Sequence, residues 1–203
     1  MTVSSDTSER VVLVDEGDTE LGTAPKLDTH RRGELHRAFS IFLFDRRGRT
    51  LIQKRAPQKY HSGGKWANTC CGHPRPDEPI ARAAKRRLGE ELGMSAELTP
   101  GFISRYRAEL DGEMIENELV HIFYGIAGSE PAPNAAEASA VDFVELAELK
   151  AGSAIPVSHQ TAWLRHYLEH HFEALLDIRH RLTDQSHAID KHKNETDFIR
   201  KFV

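Results

Sequence analysis

A charged segment that begins at Pro79 and ends at Gly93 constrains the fold more than any other part of the chain. Its Ala, Arg, Leu and Glu residues favour helix, proline is common at the first helical position, and glycine is common just after the last. Gly72 and Pro74 separate this predicted helix from an extended stretch at residues 67–71. The sequence therefore predicts a strand, a loop and a helix in immediate succession.

The remaining pattern predicts a sheet. Alternating or β-branched apolar runs separated by turn residues are typical of strands, and the apolar spacing near the C-terminus is typical of a helix. Together they indicate an α+β fold in which helices cover a mixed or antiparallel sheet. We predict strands at residues 11–14, 38–44, 50–54, 102–107, 114–127 and 141–144, turns at 45–48 and 111–112, a helix at 160–176, and loops at 17–33 and 128–138.

Composition limits the classes of function. A chain of 203 residues that is 39% hydrophobic can form one sizeable core, so we predict a single domain over 1–203 with a polar leader at 1–20 and a polar tail at 180–203. A net charge of −4 provides no broad cationic surface, so we expect no nucleic-acid or membrane partner. The oligomeric state is left open.

The N-terminus and the cysteines indicate the compartment. Asp6 and Glu9 stand where a signal peptide needs an apolar run, and no stretch approaches about 18 apolar residues. Cys70 and Cys71 are adjacent, and neighbours in a strand point to opposite faces, so they should not form a disulfide. We expect a cytoplasmic protein.

The predicted helix carries a spaced motif: Gly72, Glu78, and then the run from Arg86 to Met94. This motif resembles the Nudix box, a loop-helix-loop whose glutamates hold a divalent metal against a diphosphate. Arg87 and Glu91 are four residues apart and share a helix face, so a carboxylate and a cation can meet one phosphate group. The alternative is a solvated helix face stabilised by ion pairs, which this spacing also fits.

The motif departs from the hydrolase pattern at one position. Arg87 stands where Nudix hydrolases carry the first glutamate of the box. A cation there replaces a carboxylate that metal-assisted activation of water would need. The substitution disfavours hydrolysis while keeping diphosphate binding.

Further polar residues lie outside the box. Because side chains alternate along a strand, Cys71 and His73 should point the same way, as should Glu116 and Glu118. Three imidazoles and two carboxylates suit a divalent ion, and ligand type alone does not choose between Mn²⁺, Zn²⁺, Fe²⁺ and Mg²⁺. Any one of the 12 histidines is more often a surface or core residue than a ligand.

The combination resembles the type I isopentenyl diphosphate isomerases of the Nudix superfamily. The resemblance rests on a loop histidine followed by His36-Arg37-Ala38-Phe39-Ser40, Cys71-Gly72-His73-Pro74 and Glu116-Asn117-Glu118, in family order between Lys26 and Phe123. It implies an isomerase that interconverts isopentenyl and dimethylallyl diphosphate on a Nudix-like sheet flanked by helices. The metal ligands that it implies are His30, His36, His73, Glu116 and Glu118.

The resemblance also implies roles for other residues. Cys71 and Glu118 would transfer protons at the two ends of the shifted double bond, with Tyr106 hydrogen-bonding nearby. Mg²⁺ at Glu91 would accompany the diphosphate, and a further divalent ion, Mn²⁺, Zn²⁺ or Mg²⁺, would occupy the His/Glu site. The substrate, a small prenyl diphosphate, would be gripped by Lys26, Arg55, Lys59 and Arg87.

The chain departs from this family in one aromatic position. Family members carry Ser-Pro-Trp near the C-terminal helix, with an indole against the carbocation, whereas this chain reads Ser158-His159-Gln160. Either Trp163 or Trp66 is the candidate replacement. The ordinary interpretation of Trp163 is a helix core residue.

Two other functions compete with the isomerase. A Nudix pyrophosphohydrolase acting on a nucleotide or prenyl diphosphate shares the box, but Arg87 and Cys71 argue against it. A non-enzymatic metal- or ligand-binding module would leave Cys71 and an apolar cavity without a purpose.

Overall fold

A computed structural model describes residues 9–110 and 112–184 and places one mixed sheet between helices. The α+β prediction is confirmed. The strands are β1 (Arg10–Val14), β2 (Glu20–Pro25), β3 (His36–Phe44), β4 (Thr50–Arg55), β5 (Trp66–Asn68), β6 (Cys70–Gly72), β7 (Thr99–Leu110), β8 (Met114–Ile126) and β9 (Ala138–Val144). The helices are α1 (Lys26–Arg32), α2 (Ile80–Leu92), α3 (Leu146–Ala151), α4 (Ala162–His170) and α5 (172–184), with a 3-10 turn at Val157–His159.

Strand β3 is the centre of the sheet. It is buried at nearly every position, and such a continuous apolar strand belongs between two covered faces. It pairs antiparallel with β1, β4 and β6, and parallel with β8 from His36↔Glu118 to Phe44↔Ile126. The parallel pairing places His36 directly beside Glu118.

The two faces of β3 pack against different helices. Phe39 and Ile41 lie in a core cluster with Leu88 of α2. Phe42, on the opposite face, lies in a second cluster with Tyr167 of α4. Because neighbouring residues of a strand point to opposite faces, one strand supplies both cores.

Helix α2 matches its prediction closely. Pro79 precedes Ile80, and Gly93 ends the helix in the left-handed conformation, with φ of 62°. A β-carbon on Gly93 would lie 2.9 Å from the carbonyl oxygen of Ala132, so both space and conformation require glycine here. The predicted antiparallel β7–β8 pair is also confirmed, although Asp111 of its turn lies outside the described residues.

The prediction of a loop at residues 17–33 was wrong. This segment forms β2 and α1, which have weak local signals: Gly22 interrupts the strand, and α1 has only seven residues and no side-chain N-cap. A helix this short is not stable alone. Strand β2 is held by pairing with β1, and α1 by burying Thr29 and His30.

Other boundaries also differ from the predictions. The extended stretch at 67–71 divides between β5, which pairs with β4, and β6, which pairs with β3. Thr69 joins them: its hydroxyl accepts from Leu43 N at 2.9 Å and donates to Leu51 O at 2.7 Å. The C-terminal helix breaks at His171 and resumes through residue 184.

The ends of the chain are described only in part. Strand β1 and the start of β2 lie inside the predicted polar leader, and α5 extends into the predicted polar tail. Residues 1–8 and 185–203 of those two segments lie outside the described residues. Among the described helices, none is sufficiently long and apolar to cross a membrane.

Candidate metal and diphosphate site

One cleft of about 340 Å³ brings most of the predicted site together. Its walls come from α1, the loop between β4 and β5, β6, α2, β8 and α4, so distant parts of the chain meet there. His30, His36 and Tyr106 lie at its base or behind it. The predicted residues that line it are Lys26, Arg55, Lys59, Cys71, His73, Arg87, Glu91, Glu116 and Glu118, together with Trp163.

The hydrogen bonds of two buried histidines determine which nitrogen is available. His30 Nδ1 lies 2.8 Å from Lys26 O, and His36 Nδ1 lies 2.8 Å from Glu34 O. A carbonyl oxygen can only accept, so each neutral ring carries its proton on Nδ1. The lone pair of each Nε2 therefore faces the cluster, which is the arrangement of metal-binding histidines.

The remaining donors converge on the same point. His73 Nε2 lies 3.2 Å from His36 Nε2 and 2.9 Å from Glu118 Oε1, and His36 Nε2 lies 3.7 Å from that oxygen. One ligand atom from each of His30, His36, His73 and Glu118 lies within 4.8 Å of the others. Ligands bound at about 2.0–2.2 Å to one ion lie at most about 4.4 Å apart, and the three separations between 2.9 and 3.7 Å satisfy this limit.

One buried nitrogen in this group favours a bound cation. His30 is fully buried, and its Nε2 has no hydrogen-bond partner within residues 9–110 and 112–184. An uncompensated buried acceptor is unfavourable, and a divalent ion would satisfy it. These residues fit a divalent metal.

Glu116 belongs to a second, overlapping group. It meets His30 and His61, whose ligand atoms also lie within 4.8 Å of one another. Sequence reasoning missed His61. The available signal was its position two residues after Lys59, in the loop that was expected to contact the substrate.

Burial and charge tune these groups. Burial, followed by the nearby His36, lowers the pKa of His30 to about 4, and burial lowers the pKa of His73 to about 3. Both rings are therefore neutral at pH 7, the form that binds metal. Burial and the neighbouring Glu118 raise the pKa of Glu116.

Cys71 presents a protonated thiol to the cleft. Its Sγ lies 3.2 Å from Asn68 Oδ1 and 3.2 Å from Ser40 Oγ. Burial raises the pKa of Cys71 to about 12, so the thiol keeps its proton at neutral pH. Cys70 is a free cysteine buried on the opposite face among residues packed on α2, and the expected absence of a disulfide between the two is confirmed.

Tyr106 lies behind Glu118. The two residues are paired across β7 and β8, which places their side chains on one face of the sheet. The phenol oxygen is buried without a hydrogen-bond partner in the described part of the chain, so the expected hydrogen bond to the catalytic group is not formed here. Burial, followed by Glu116 and Glu118, raises the pKa of Tyr106.

Cationic side chains also line the cleft, and the structure pairs several of them with carboxylates. Arg87 Nη2 lies 2.5 Å from Glu91 Oε1 and 3.3 Å from Glu137 Oε1, and Lys59 Nζ lies 2.9 Å from Glu137 Oε2. Lys26 Nζ lies 2.8 Å from Glu9 Oε2. These contacts hold cations at the cleft wall, where an anionic group can reach them.

Helix α2 divides its charges between two environments. Glu91 is 5% exposed, faces the cleft and accepts from Gln53 Nε2 at 2.7 Å. Arg86 pairs with Glu78 at 2.8 Å and with Glu90 at 3.1 Å on the more exposed side. The helix therefore carries both an ion-paired face and a buried carboxylate, Glu91, that lines the cleft.

Comparisons with known proteins agree with this geometry. Residues 34–164 match the NUDIX domain family. The chain is 54% identical over 143 residues to Isopentenyl-diphosphate Delta-isomerase 1 of Aromatoleum aromaticum, covering 70% of this chain and 81% of that protein. It is 46% identical over 173 residues to Isopentenyl-diphosphate Delta-isomerase of Burkholderia multivorans, covering 85% and 97%. The chain belongs to the type I isopentenyl diphosphate isomerase family.

Solved structures confirm the Nudix fold. DR0079 from Deinococcus radiodurans has a TM-score of 0.66 at 18% identity, covering 79% of this chain and 98% of that one. MutT protein from Methanosarcina mazei has a TM-score of 0.54 at 20% identity, covering 66% and 91%. This chain therefore shares its fold with proteins that are not named as isomerases.

Of the two candidate tryptophans, Trp163 is the one among the residues that line the cleft. Trp163 lines the cleft, with the guanidinium carbon of Arg55 5.2 Å from its ring centroid. Thr161 caps the helix at its entry, accepting from Leu164 N, which sets the position of Trp163 on the first turn. Trp66 packs against the α4 side of the core instead. In this isomerase, Trp163 is the indole that the cleft contains.

Proposed function

We propose that the chain interconverts isopentenyl diphosphate and dimethylallyl diphosphate. The supporting observation is a single cleft in which the Cys71 thiol and the Glu118 carboxylate face the same space as the cations Lys59 and Arg87. The names of its relatives favour the same reaction. The free cysteines are consistent with a reducing cytoplasm, where we place this activity.

The reaction needs one proton donor and one proton acceptor. A proton adds to the terminal CH₂ carbon of isopentenyl diphosphate, the double bond shifts, and another proton leaves the carbon on the opposite side of the tertiary centre. The raised pKa of Cys71 keeps a proton on sulfur, and Glu118 lines the same cleft and supplies a carboxylate to accept one. The residue that donates in one direction accepts in the other.

The cationic end of the cleft holds the diphosphate. Arg87 and Lys59 would exchange contacts with Glu137 for contacts with phosphate oxygens, and Arg55 and Lys26 lie on the same cleft wall. Arginine suits this role because its planar fork binds two oxygens at once. Anchoring the diphosphate there directs the five-carbon chain toward Cys71.

Two ion sites would support these residues. His30, His36, His73, Glu116 and Glu118 would hold one divalent ion, Mn²⁺, Zn²⁺ or Mg²⁺, whose charge orients Glu118. Glu91 would hold Mg²⁺ against the diphosphate and reduce its negative charge.

Trp163 would stabilise the positive charge that develops on the substrate between the two proton transfers. Its indole ring is 4% exposed and lines the cleft, and an aromatic face stabilises a cation. Tyr106 is paired with Glu118 across β7 and β8 and adds a second aromatic ring on that face of the sheet. Together these residues favour a carbocation-like state and keep water from it.

Incubation of purified protein with isopentenyl diphosphate and Mg²⁺ in heavy water tests the proposal. Isomerisation predicts deuterium in dimethylallyl diphosphate by NMR, without release of phosphate. Phosphate release without isomerisation would support the pyrophosphohydrolase, and neither reaction would support a binding module.

A further inference from the structure

His61 is a buried imidazole beside the proposed metal ligands, and the mechanism proposed above gives it no role. It lies in the loop at residues 56–65, between β4 and β5, and is 5% exposed. Its Nε2 lies 3.4 Å from Glu116 Oε1, and its Nδ1 is buried with no hydrogen-bond partner in the described ranges. One nitrogen of this ring lies within 4.8 Å of ligand atoms of His30 and Glu116, which places the imidazole beside the proposed metal centre.

The loop holds this ring in place. Arg55 N donates to Lys65 O at 2.9 Å and Gly64 N donates to Arg55 O at 3.1 Å, which closes the loop, and Arg55 Nη2 donates to His61 O at 3.2 Å. The ring of His61 meets Tyr60 edge-on at 4.3 Å and Trp163 at 5.8 Å between centroids. Its orientation toward Glu116 is therefore set by packing.

The donors of the centre form two groups that share one residue. His30 belongs both to the group with His36, His73 and Glu118 and to the group with His61 and Glu116. His30 Nε2 has no hydrogen-bond partner among the described residues, so one ion at this atom would lie between the two groups. The ring centroids of His30 and His61 are 6.2 Å apart, and the two ring planes are inclined by 26°.

We propose that His61 is a sixth protein ligand of the ion bound by the His/Glu centre. This inference rests on the metal centre proposed above and extends it. Imidazole binds metal in its neutral form and a carboxyl as the carboxylate, so these six ligands together would carry two negative charges, which a divalent ion balances. Six nitrogen and oxygen donors complete an octahedral shell, so the ion would need no ligand from water or substrate.

Titration of the full chain, stripped of metal with a chelator, with Co²⁺ alone tests this assignment. The wild type should bind one ion per chain with the weak visible absorption of six-coordinate Co²⁺. His61→Ala should bind at least about tenfold more weakly, since even outer-shell changes weaken metal sites by about 10–100-fold. Its lower coordination number should increase the absorption per bound ion.

His61→Gln separates ligation from positioning. A glutamine amide can still donate a hydrogen bond to Glu116, but it is a poor ligand for a transition metal. If His61 ligates the ion, glutamine fails as alanine does. Wild-type affinity and spectrum in His61→Gln would show that the ring only positions Glu116 and would overturn the proposal. His171→Gln, at a histidine in neither donor group, is the matched control and should bind Co²⁺ normally.

The outcomes distinguish this inference from the proposed metal centre. If the wild type binds no Co²⁺, the metal centre itself fails. If the wild type binds and both His61 variants match it, the centre stands and the role of His61 is overturned. Two ions per chain would overturn the assignment of His61 to the same ion. Far-UV circular dichroism of each variant checks that the fold is retained.

Discussion

Cys70 and Cys71 show how one position in the chain changes the chemistry of a residue. Strand alternation sends Cys70 into the core under α2 and Cys71 to the cleft. Cys71 lies against Ser40 and Asn68, where it can meet a bound substrate. Adjacent residues of the same type therefore divide between the packed core and the cleft.

Replacement of Cys71 with alanine should lower kcat by about 10²–10⁴-fold, the usual contribution of a positioned acid or base. The KM for isopentenyl diphosphate and the metal content should change little, because Cys71 belongs to neither donor group. Steady-state kinetics and metal analysis measure both. Cys70→Ala, the matched control, should lose stability but keep turnover. A kcat for Cys71→Ala near that of the wild type would remove the thiol from the mechanism.

Glu137 links Lys59 to Arg87 in the wall of the cleft. Burial raises the pKa of Glu137, but Arg87 and Lys59 outweigh burial and hold it below 4.5. A depressed folded-state pKa stabilises the protein above the unfolded value, and this stabilisation is lost as pH falls through the folded value.

The difference in unfolding free energy between wild type and Glu137→Gln should therefore be constant above about pH 5 and shrink as the pH falls below 4.5. Urea unfolding at a series of pH values measures it. Glu130→Gln, at an exposed glutamate, is the control. A difference that does not change with pH would contradict an ion pair at Glu137.

Some helices and strands are determined by their own sequence, and others depend on tertiary packing. Helix α2 could be predicted because proline, helix formers and glycine mark it within its own sequence. Helix α1 and strand β2 could not, because a seven-residue helix and a strand interrupted by glycine depend on what they pack against. The residues that α1 contributes to the site, Lys26 and His30, were nevertheless identified from the motif.

Replacement by alanine should change the stability of the fold in opposite directions at Gly89, inside α2, and at Gly93, just after it. Gly89 is exposed inside the helix, and an added β-carbon would lie at an ordinary 3.8 Å from Met94 O, so Gly89→Ala should stabilise the fold by about 0.5–1 kcal/mol. Gly93→Ala should destabilise it by about 1–3 kcal/mol, since that β-carbon meets Ala132 O at 2.9 Å in a left-handed conformation. Denaturant unfolding measures both, and equal effects would contradict the cap geometry.

The candidate metal centre depends on the tertiary fold as a whole. Its donors come from α1, β3, the loop at 56–65, the segment after β6, and β8. An ion bound to all of them joins elements that unfolding would separate. Metal binding should therefore be coupled to global stability.

Saturating metal should raise the Tm measured after chelation. Mn²⁺ at about 100 times its Kd should add about 2.7 kcal/mol to the unfolding free energy. Glu118→Gln should lose most of this metal-dependent increment, whereas Glu109→Gln, at an exposed glutamate on β7, should keep it. Calorimetry with and without a chelator measures the increment. The same increment in both variants would exclude Glu118 as a ligand.

The sequence by itself determined what depends on near neighbours in the chain. Strand alternation placed Cys71 with His73 and Glu116 with Glu118, and helical spacing placed Arg87 with Glu91, because these periods arise within a few residues. Only the tertiary structure decided that β3 runs parallel to β8, which sets His36 beside Glu118, that Trp163 lies in the cleft, and that His61 lies beside His30 and Glu116. Those juxtapositions depend on strand register and packing between residues far apart in the chain, where no local preference acts.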